Sequence, residues 1–146
     1  MVTTRDDFEY WLADMDDALE RFIASLPADI GSCLDYSVAS LDHIERWILE
    51  RWIDSQAALA SHETPQLGGA ARYIGETIRK QVGGFWDIDL TNRQNVYFGL
   101  PVIVDRPAAP TPQCPLTLAT ASTHRRTGKF LRTVVEAMQR RAQARP

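Results

Sequence analysis

The sequence has few of the residues on which metal binding and redox chemistry depend. Its two cysteines, Cys33 and Cys114, form no CxxC pair, so it contains neither a zinc knuckle nor a thioredoxin-type motif. The three histidines stand in separate segments without the spacing of metal ligands. We therefore expect two free thiols in a reducing cytoplasm and no bound metal.

Phosphate-cradling glycine motifs and long apolar runs are also missing. The pairs Gly68-Gly69 and Gly83-Gly84 match neither GxGxxG nor GxxxxGK[ST], so the sequence predicts no nucleotide cofactor. No apolar run approaches the ~20 residues that a membrane helix needs. The first residues turn acidic at once and contain no apolar signal-peptide core. These absences predict a cytoplasmic protein that does not bind membranes.

What is present is a balanced composition with a strongly uneven charge. The 146 residues are 45% hydrophobic and 24% charged, which predicts one globular domain over 1–146 with a frayed tail at 142–146. Residues 1–60 carry a net charge of −9 and residues 121–146 carry +6. We favour packing of the basic last helix near the acidic first helix. An anionic protein partner is the second interpretation of Arg125, Arg126 and their basic neighbours, and nucleic acid is the third.

Apolar residues repeat at intervals of three and four in four segments, which predict helices over 4–26, 38–54, 66–82 and 127–141. Thr4 suits the start of the first helix, and Gly83-Gly84 suits the end of the third. Gly75 falls inside the third helix, where glycine is unfavourable. We expect another backbone to approach it closely.

The remaining segments predict a small sheet and loops. Trp86, Ile88 and Leu90 alternate with Asp87 and Asp89, which is typical of a half-buried strand, and 96–104 predicts its hairpin partner. Segments 33–36 and 116–121 predict a short extended piece and a short helical turn, and the prolines of 105–115 predict a surface strap. The fold class is therefore α+β, with a helical N-terminal half, a small antiparallel hairpin or sheet, and a C-terminal helix.

Polar and aromatic residues near the hairpin are the candidate binding residues. Tyr73 and Glu76 form a polar stripe on the third helix, with Glu76 placed for an ion pair to Lys80. This stripe is either structural or a recognition surface beside Trp86 on the hairpin. Asp87 and Asp89 form either the solvent face of that strand or a pair that could bind a divalent cation or exchange protons.

The second helix is apolar on more than one face. Trp47 and Trp52 differ by 140° around a helix and cannot both point the same way. Each is either buried in the core, which we favour for any single one, or exposed as an anchor for a partner. The helix is either central in the domain or buried in a homodimer.

One segment resembles a known group. Tyr73-Ile74-Gly75-Glu76, then Gly83-Gly84-Phe85-Trp86 and Pro101-Val102-Ile103, resemble a Y-[IL]-G-E…GG-x-W pattern in small bacterial proteins of unknown function. The likeness spans 37–104, since proteins of this group often have, before the motif, a helix similar to the segment 40–45 of this chain. It implies no catalytic residues. Some small bacterial domains of this build act as immunity or accessory proteins beside toxin and secretion systems.

The sequence thus predicts a non-enzymatic protein-binding or accessory protein of bacterial origin, of the immunity or secretion-associated type. Its partner is expected to be another protein or a second copy, and nucleic acid is disfavoured. The alternative is a small metal-dependent hydrolase that uses Asp87, Asp89 and Glu76. The candidate binding residues are Tyr73, Glu76, Trp86, Asp87, Asp89, Trp47, Arg125 and Arg126.

Overall fold

The computed structural model of the protein describes residues 2–105 and 111–144. The described α-helices are Arg5–Ala13 (α1), Met15–Ser25 (α2), Ala28–Gly31 (α3), Leu41–Arg51 (α4), Ser55–Leu59 (α5), Thr64–Gln81 (α6), Pro115–Arg125 (α7) and Phe130–Gln143 (α8). A 3₁₀ turn covers Ser61–Glu63, and the strands are Phe85–Asp87 (β1) and Val102–Val104 (β2). The strands pair antiparallel, with Trp86 opposite Ile103. The predicted α+β class is confirmed.

The N-terminal helix is two helices instead of one. Thr4 and Asp7 form a reciprocal capping box, in which each side chain accepts the other's backbone N–H, and this confirms Thr4 as the cap. The chain then bends at Asp14, whose ψ of 0° departs from helical geometry. Phe8 of α1 and Phe22 of α2 both remain buried on the inner side of this bend.

Helix α6 lies at the centre of the fold. It contacts α2, α4, α5, α7, α8 and β2, and every residue from Gly69 to Ile78 is buried. Buried polar side chains in this stretch, such as Tyr73, Glu76 and Thr77, have hydrogen-bond partners within the protein. The end of α6 at the Gly83-Gly84 pair is as predicted, since Gly83 adopts a φ of 114° just beyond it.

Several loop and strand predictions are wrong. Residues 96–100 form turns within the long connection between β1 and β2. Asp89 accepts hydrogen bonds from several residues of this connection. The segment 33–36 contains no strand, and α5 lies between the second and third predicted helices, where no helix was expected. The predicted short turn at 116–121 is the 11-residue helix α7, which packs along α6. Residues 106–110 of the predicted strap lie outside the described residues. Gln113 of the same segment forms an isolated antiparallel bridge with Ile103 of β2, which also pairs with β1.

The basic last helix pairs with α4 and not with the acidic α1, which corrects the predicted arrangement. Arg132 and Lys129 reach Asp42 of α4 at 2.9 and 3.6 Å. Glu45, which is also on α4 and fully buried, accepts N–H bonds at the start of α8. The helix continues through Gln143, so residues 142 and 143 are ordered helix, and 145–146 lie outside the described part.

Candidate functional site

The segment from Tyr73 to Trp86 is held together by contacts among its own residues. Gly75 faces the indole of Trp86: a Cβ on this glycine would lie 2.1 Å from Cη2 of that ring. The close approach expected at Gly75 therefore comes from a side chain and not from a backbone. Gly84, at a φ of 98°, lies against the Val104 carbonyl, so a side chain there would collide with β2. The pattern first of all specifies how β1 packs on α6.

Tyr73 lies in the interior. Its side chain is fully buried, its hydroxyl is 2.6 Å from the hydroxyl of Ser40, and it accepts the backbone N–H of Tyr36 at 2.9 Å. The two tyrosine rings stack with centroids 4.9 Å apart. Burial raises the pKa of the Tyr73 hydroxyl, which remains neutral. Tyr73 therefore joins the 36–40 loop to α6 and does not line a surface.

Glu76 is a buried carboxylate with two partners. It accepts bonds from Nε of Arg79 at 2.7 Å and from the indole N–H of Trp86 at 2.9 Å. Its short-range ion pair is with Arg79, so the predicted pair with Lys80 is wrong. Burial raises the pKa of Glu76, but the bonds from Arg79 and Trp86 outweigh it and hold the pKa below its ordinary value.

The two hairpin aspartates have different surroundings. Asp87 ends β1, accepts the N–H of Ile88 and lies 3.5 Å from Arg5 of α1. Asp89 falls beyond the strand, so the two carboxylates do not share one strand face as predicted. Asp89 instead organises the 88–101 loop, because it accepts the backbone N–H groups of Thr91 and Asn92 and the amide of Asn95. Within the described ranges, no three His, Cys, Asp or Glu side chains form a group that could hold a metal ion.

Acid should release the loop that Asp89 holds. The bonds from Asn92, Asn95 and Thr91 lower the pKa of Asp89 from 3.8 to about 2. A lowered folded-state pKa stabilises the loop fully above pH ~4, and this contribution disappears as the pH falls through about 2. We expect the Asp89 carboxyl carbon to titrate near pH 2 by NMR, together with the Asn92 amide. A midpoint near 4 would contradict the arrangement, and Asp89→Asn should abolish the amide's response.

Neither tryptophan of the second predicted helix is exposed. Trp47 and Trp52 are 7% and 1% exposed and meet edge to face at 5.3 Å. The predicted separation fails because Trp52 lies past the end of α4, where the backbone is extended (φ −121°, ψ 125°), so helical angles no longer apply. The exposed apolar residue here is Ile53, at 79%.

The two candidate arginines act within the chain. Arg125 lies over the Phe130 ring at 5.8 Å. Arg126 adopts a left-handed φ of 53° and donates to the carbonyls of Leu49, Trp52 and Ile53, each within 3.0 Å. The Leu49 carbonyl belongs to the last turn of α4, where carbonyl groups lack helical partners, and Trp52 and Ile53 directly follow the helix. Arg126 therefore caps α4 from the end of α7.

Arg126→Met should lower the free energy of unfolding by about 2 kcal/mol, because it removes charge-assisted bonds to three carbonyl groups. Arg125→Met is the matched control and should change stability by no more than about 0.5 kcal/mol. Urea denaturation followed by tryptophan fluorescence measures both. Equal effects of the two substitutions would contradict the capping role of Arg126.

Two of the candidate residues, Glu76 and Trp86, line an open cleft of about 390 Å³, which we name the α1–β1 cleft. Its other walls come from α1, α2, α6 and the exposed side of β1: Leu12, Ala13, Met15, Asp16, Arg79 and Phe85. Phe85 is 40% exposed at the rim. An apolar floor with a few charged groups at its edge is typical of binding sites.

Beside this cleft lies an acidic face formed by the outer side of α1 and α2. The segment 5–25, which covers both helices and the residue between them, contains seven acidic and two basic residues. Both arginines are engaged: Arg5 lies near Glu9 and Asp87, and Arg21 pairs with Asp14. Four exposed acids of the face form no ion pair within the described residues: Asp6, Asp16, Asp17 and Glu20. Tyr10 stands among them with 77% of its surface exposed.

Comparison with known proteins found no matching protein family, no matching curated protein and no matching solved structure. Among the described residues, no helix is both long and apolar enough to cross a bilayer. The interpretation of the α1–β1 cleft and the acidic face therefore depends on their own chemistry.

Proposed function

We propose that this protein is a non-enzymatic accessory protein that binds a basic segment of another protein at the α1–β1 cleft and the adjoining acidic face. The observation that supports this most is the group of four unpaired surface acids of α1 and α2 beside a cleft that contains aromatic side chains. The basic end differs in that Arg126, Lys129 and Arg132 are engaged in internal contacts, and its exposed Arg140 and Arg141 adjoin no such cleft on α1 or β1. Complementary charge makes a basic partner the favoured occupant.

The cleft adds specificity to that charge. Phe85 at the rim and the Trp86 indole below it provide apolar and aromatic surface, which is enriched at the centres of protein interfaces. A lysine or arginine stem can lie along such a surface while its head group reaches Asp16 at the edge. An immunity-type or secretion-associated role, as the resemblance implies, fits a protein that acts by covering a basic surface of its target.

The test is affinity capture from host cells with wild-type protein and matched variants. Asp17→Lys combined with Glu20→Lys reverses the face without breaking any ion pair, and Phe85→Ala removes the rim. We expect each to weaken binding of the captured partner by about tenfold or more, as a loss of ~1.4 kcal/mol implies. Binding should also weaken as salt rises.

Glu136→Lys, an exposed change of the same kind on α8, is the control and should leave binding unchanged. The proposal fails if Glu136→Lys weakens binding as much as the α2 reversal does. It also fails if the partner's contact surface is acidic, or if every captured protein is retained equally by all the variants.

A further inference from the structure

A second cleft, on the other side of α2, contains a buried arginine without a carboxylate partner. Its volume is about 340 Å³, and it lies between α2 and the first half of α6; we name it the Arg72 pocket. The residues that matter to the argument are Arg21, Gln66, Gly68 and Arg72. None of them lies within 73–76, 83–86 or 101–103, and none lines the α1–β1 cleft.

Arg72 is only 9% exposed, yet it forms no ion pair with any described residue. Its Nη1 donates to the Trp11 carbonyl at 2.9 Å and to the Met15 sulfur at 3.4 Å, and its guanidinium lies 4.2 Å from the Trp11 ring centre. No bond to the described residues leaves from Nε or Nη2. Neither atom is among the fully buried polar atoms that lack a partner, so both remain accessible to solvent and can donate to an anion that enters the pocket.

Two further positive groups adjoin Arg72. Arg21 lies in the same pocket and forms an ion pair with Asp14 at 3.1 Å, and the charges of Asp14 and Glu76 also act on Arg72. The first turn of the 18-residue helix α6 lines the pocket through Pro65 and Gln66. This turn has no capping side chain and contains no acidic residue. The carboxylate that precedes it, Glu63, is bonded instead to Arg51 and Trp52. The positive end of α6 therefore has Glu63 beside it, but that carboxylate is already paired with Arg51 and leaves the first turn of the helix without a side-chain cap.

Gly68 opens the pocket. A Cβ at this position would meet nothing within 4 Å, so neither packing nor a positive φ requires glycine here. This differs from the next residue, Gly69, whose Cβ would lie 2.2 Å from the Phe22 ring. Glycine lowers helix stability relative to alanine. The space beside Gly68 is wide enough for a methyl group and leaves the entrance of the pocket open.

We propose that the Arg72 pocket binds the phosphate group of a small molecule, with Arg72 and Arg21 as cationic donors and the start of α6 as a source of N–H groups. Phosphate presents several acceptor oxygens, which suits donors that converge from two helices. The site does not depend on the function proposed for the α1–β1 cleft.

The test is calorimetric titration with inorganic phosphate, and with phenyl phosphate and acetate as comparison ligands, at low ionic strength. We expect saturable binding of one phosphate, with acetate weaker. Gly68→Leu should fill the mouth and weaken phosphate binding by about tenfold or more, while Gly68→Ala retains it. Both substitutions should raise the melting temperature of the free protein, which separates occlusion from unfolding.

Arg21→Gln and Arg72→Gln should each weaken binding to a similar degree, and Arg140→Gln, an exposed change on α8, should not. If Arg72→Gln does not fold, the loss of phosphate binding in Arg21→Gln and Gly68→Leu tests whether the Arg72 pocket is the binding site. Tighter binding of phenyl phosphate than of inorganic phosphate would identify an organic phosphate as the ligand class, and the reverse would identify free phosphate. The absence of saturable phosphate binding, or equal loss in Arg140→Gln, would overturn the proposal.

Discussion

Replacing Gly75 with alanine should lower the free energy of unfolding by about 3 kcal/mol, although alanine is the better helix former. The new Cβ would lie 2.1 Å from Cη2 of Trp86 and 3.0 Å from Cγ of Pro115. Trp86 cannot move away easily, because its indole N–H is bonded to Glu76 and its ring meets Trp11 at 4.8 Å. Urea denaturation should show a lower midpoint with an unchanged slope.

Helix α6 contains its own controls for this prediction. Gly68→Ala, which meets no neighbour, should raise the free energy of unfolding by about 1 kcal/mol. Gly69→Ala, which collides with Phe22, should lower it. In a Trp86→Leu background the Gly75→Ala substitution should become much less damaging. An equally large loss in that background would show that the indole is not the cause.

Glu45→Ala should be as damaging, with a loss of about 3 kcal/mol. The Glu45 carboxylate is fully buried, and it accepts the backbone N–H of Leu131 at 2.8 Å and that of Phe130 at 3.2 Å. Its removal leaves these donors without a partner at the start of α8 and creates a cavity beside α4. Thermal and urea denaturation measure the loss, and amide exchange should show α8 as the helix that opens first.

Glu45→Gln is the matched control, because the glutamine side chain has nearly the same shape and retains one acceptor oxygen. It should lose less than half as much stability as Glu45→Ala. If the two substitutions destabilise the protein equally, the negative charge and not the hydrogen bonding holds α8. If neither destabilises it, the cap has no energetic role.

The contacts around Gly75 explain the residue pattern of the segment from Tyr73 to Trp86. Gly75 gives space to Trp86, Glu76 bonds to it, and Tyr73 joins the same helix to the 36–40 loop. The segment is therefore a device for packing β1 on α6, and the groups proposed for recognition lie mostly outside it. Substitutions on the acidic face should alter partner binding without changing stability, whereas substitutions at Gly75 should do the reverse.

Much of the secondary structure could be predicted from local pattern. The period of apolar residues predicted α4, α6 and α8, Thr4 predicted a cap, and Gly83-Gly84 predicted the end of α6. These features depend on interactions between residues a few positions apart, which the sequence displays directly. The sequence pattern did not predict the bend at Asp14. It also did not predict the length of α7, because α7 is stabilised along its side by α6 and has only a weak apolar pattern of its own.

The sequence by itself determined the α+β class, the helical periodicity, the unequal charge of the two ends and the lack of cofactor motifs. Only the tertiary structure decided which charges are engaged internally and which remain at the surface. Glu45 meets Leu131 and Arg126 meets Leu49 across more than 70 positions, and Arg72 is left without an ion-pair partner by the same packing. Such contacts depend on how helices are placed in space, and periodicity along one helix carries no information about its neighbours.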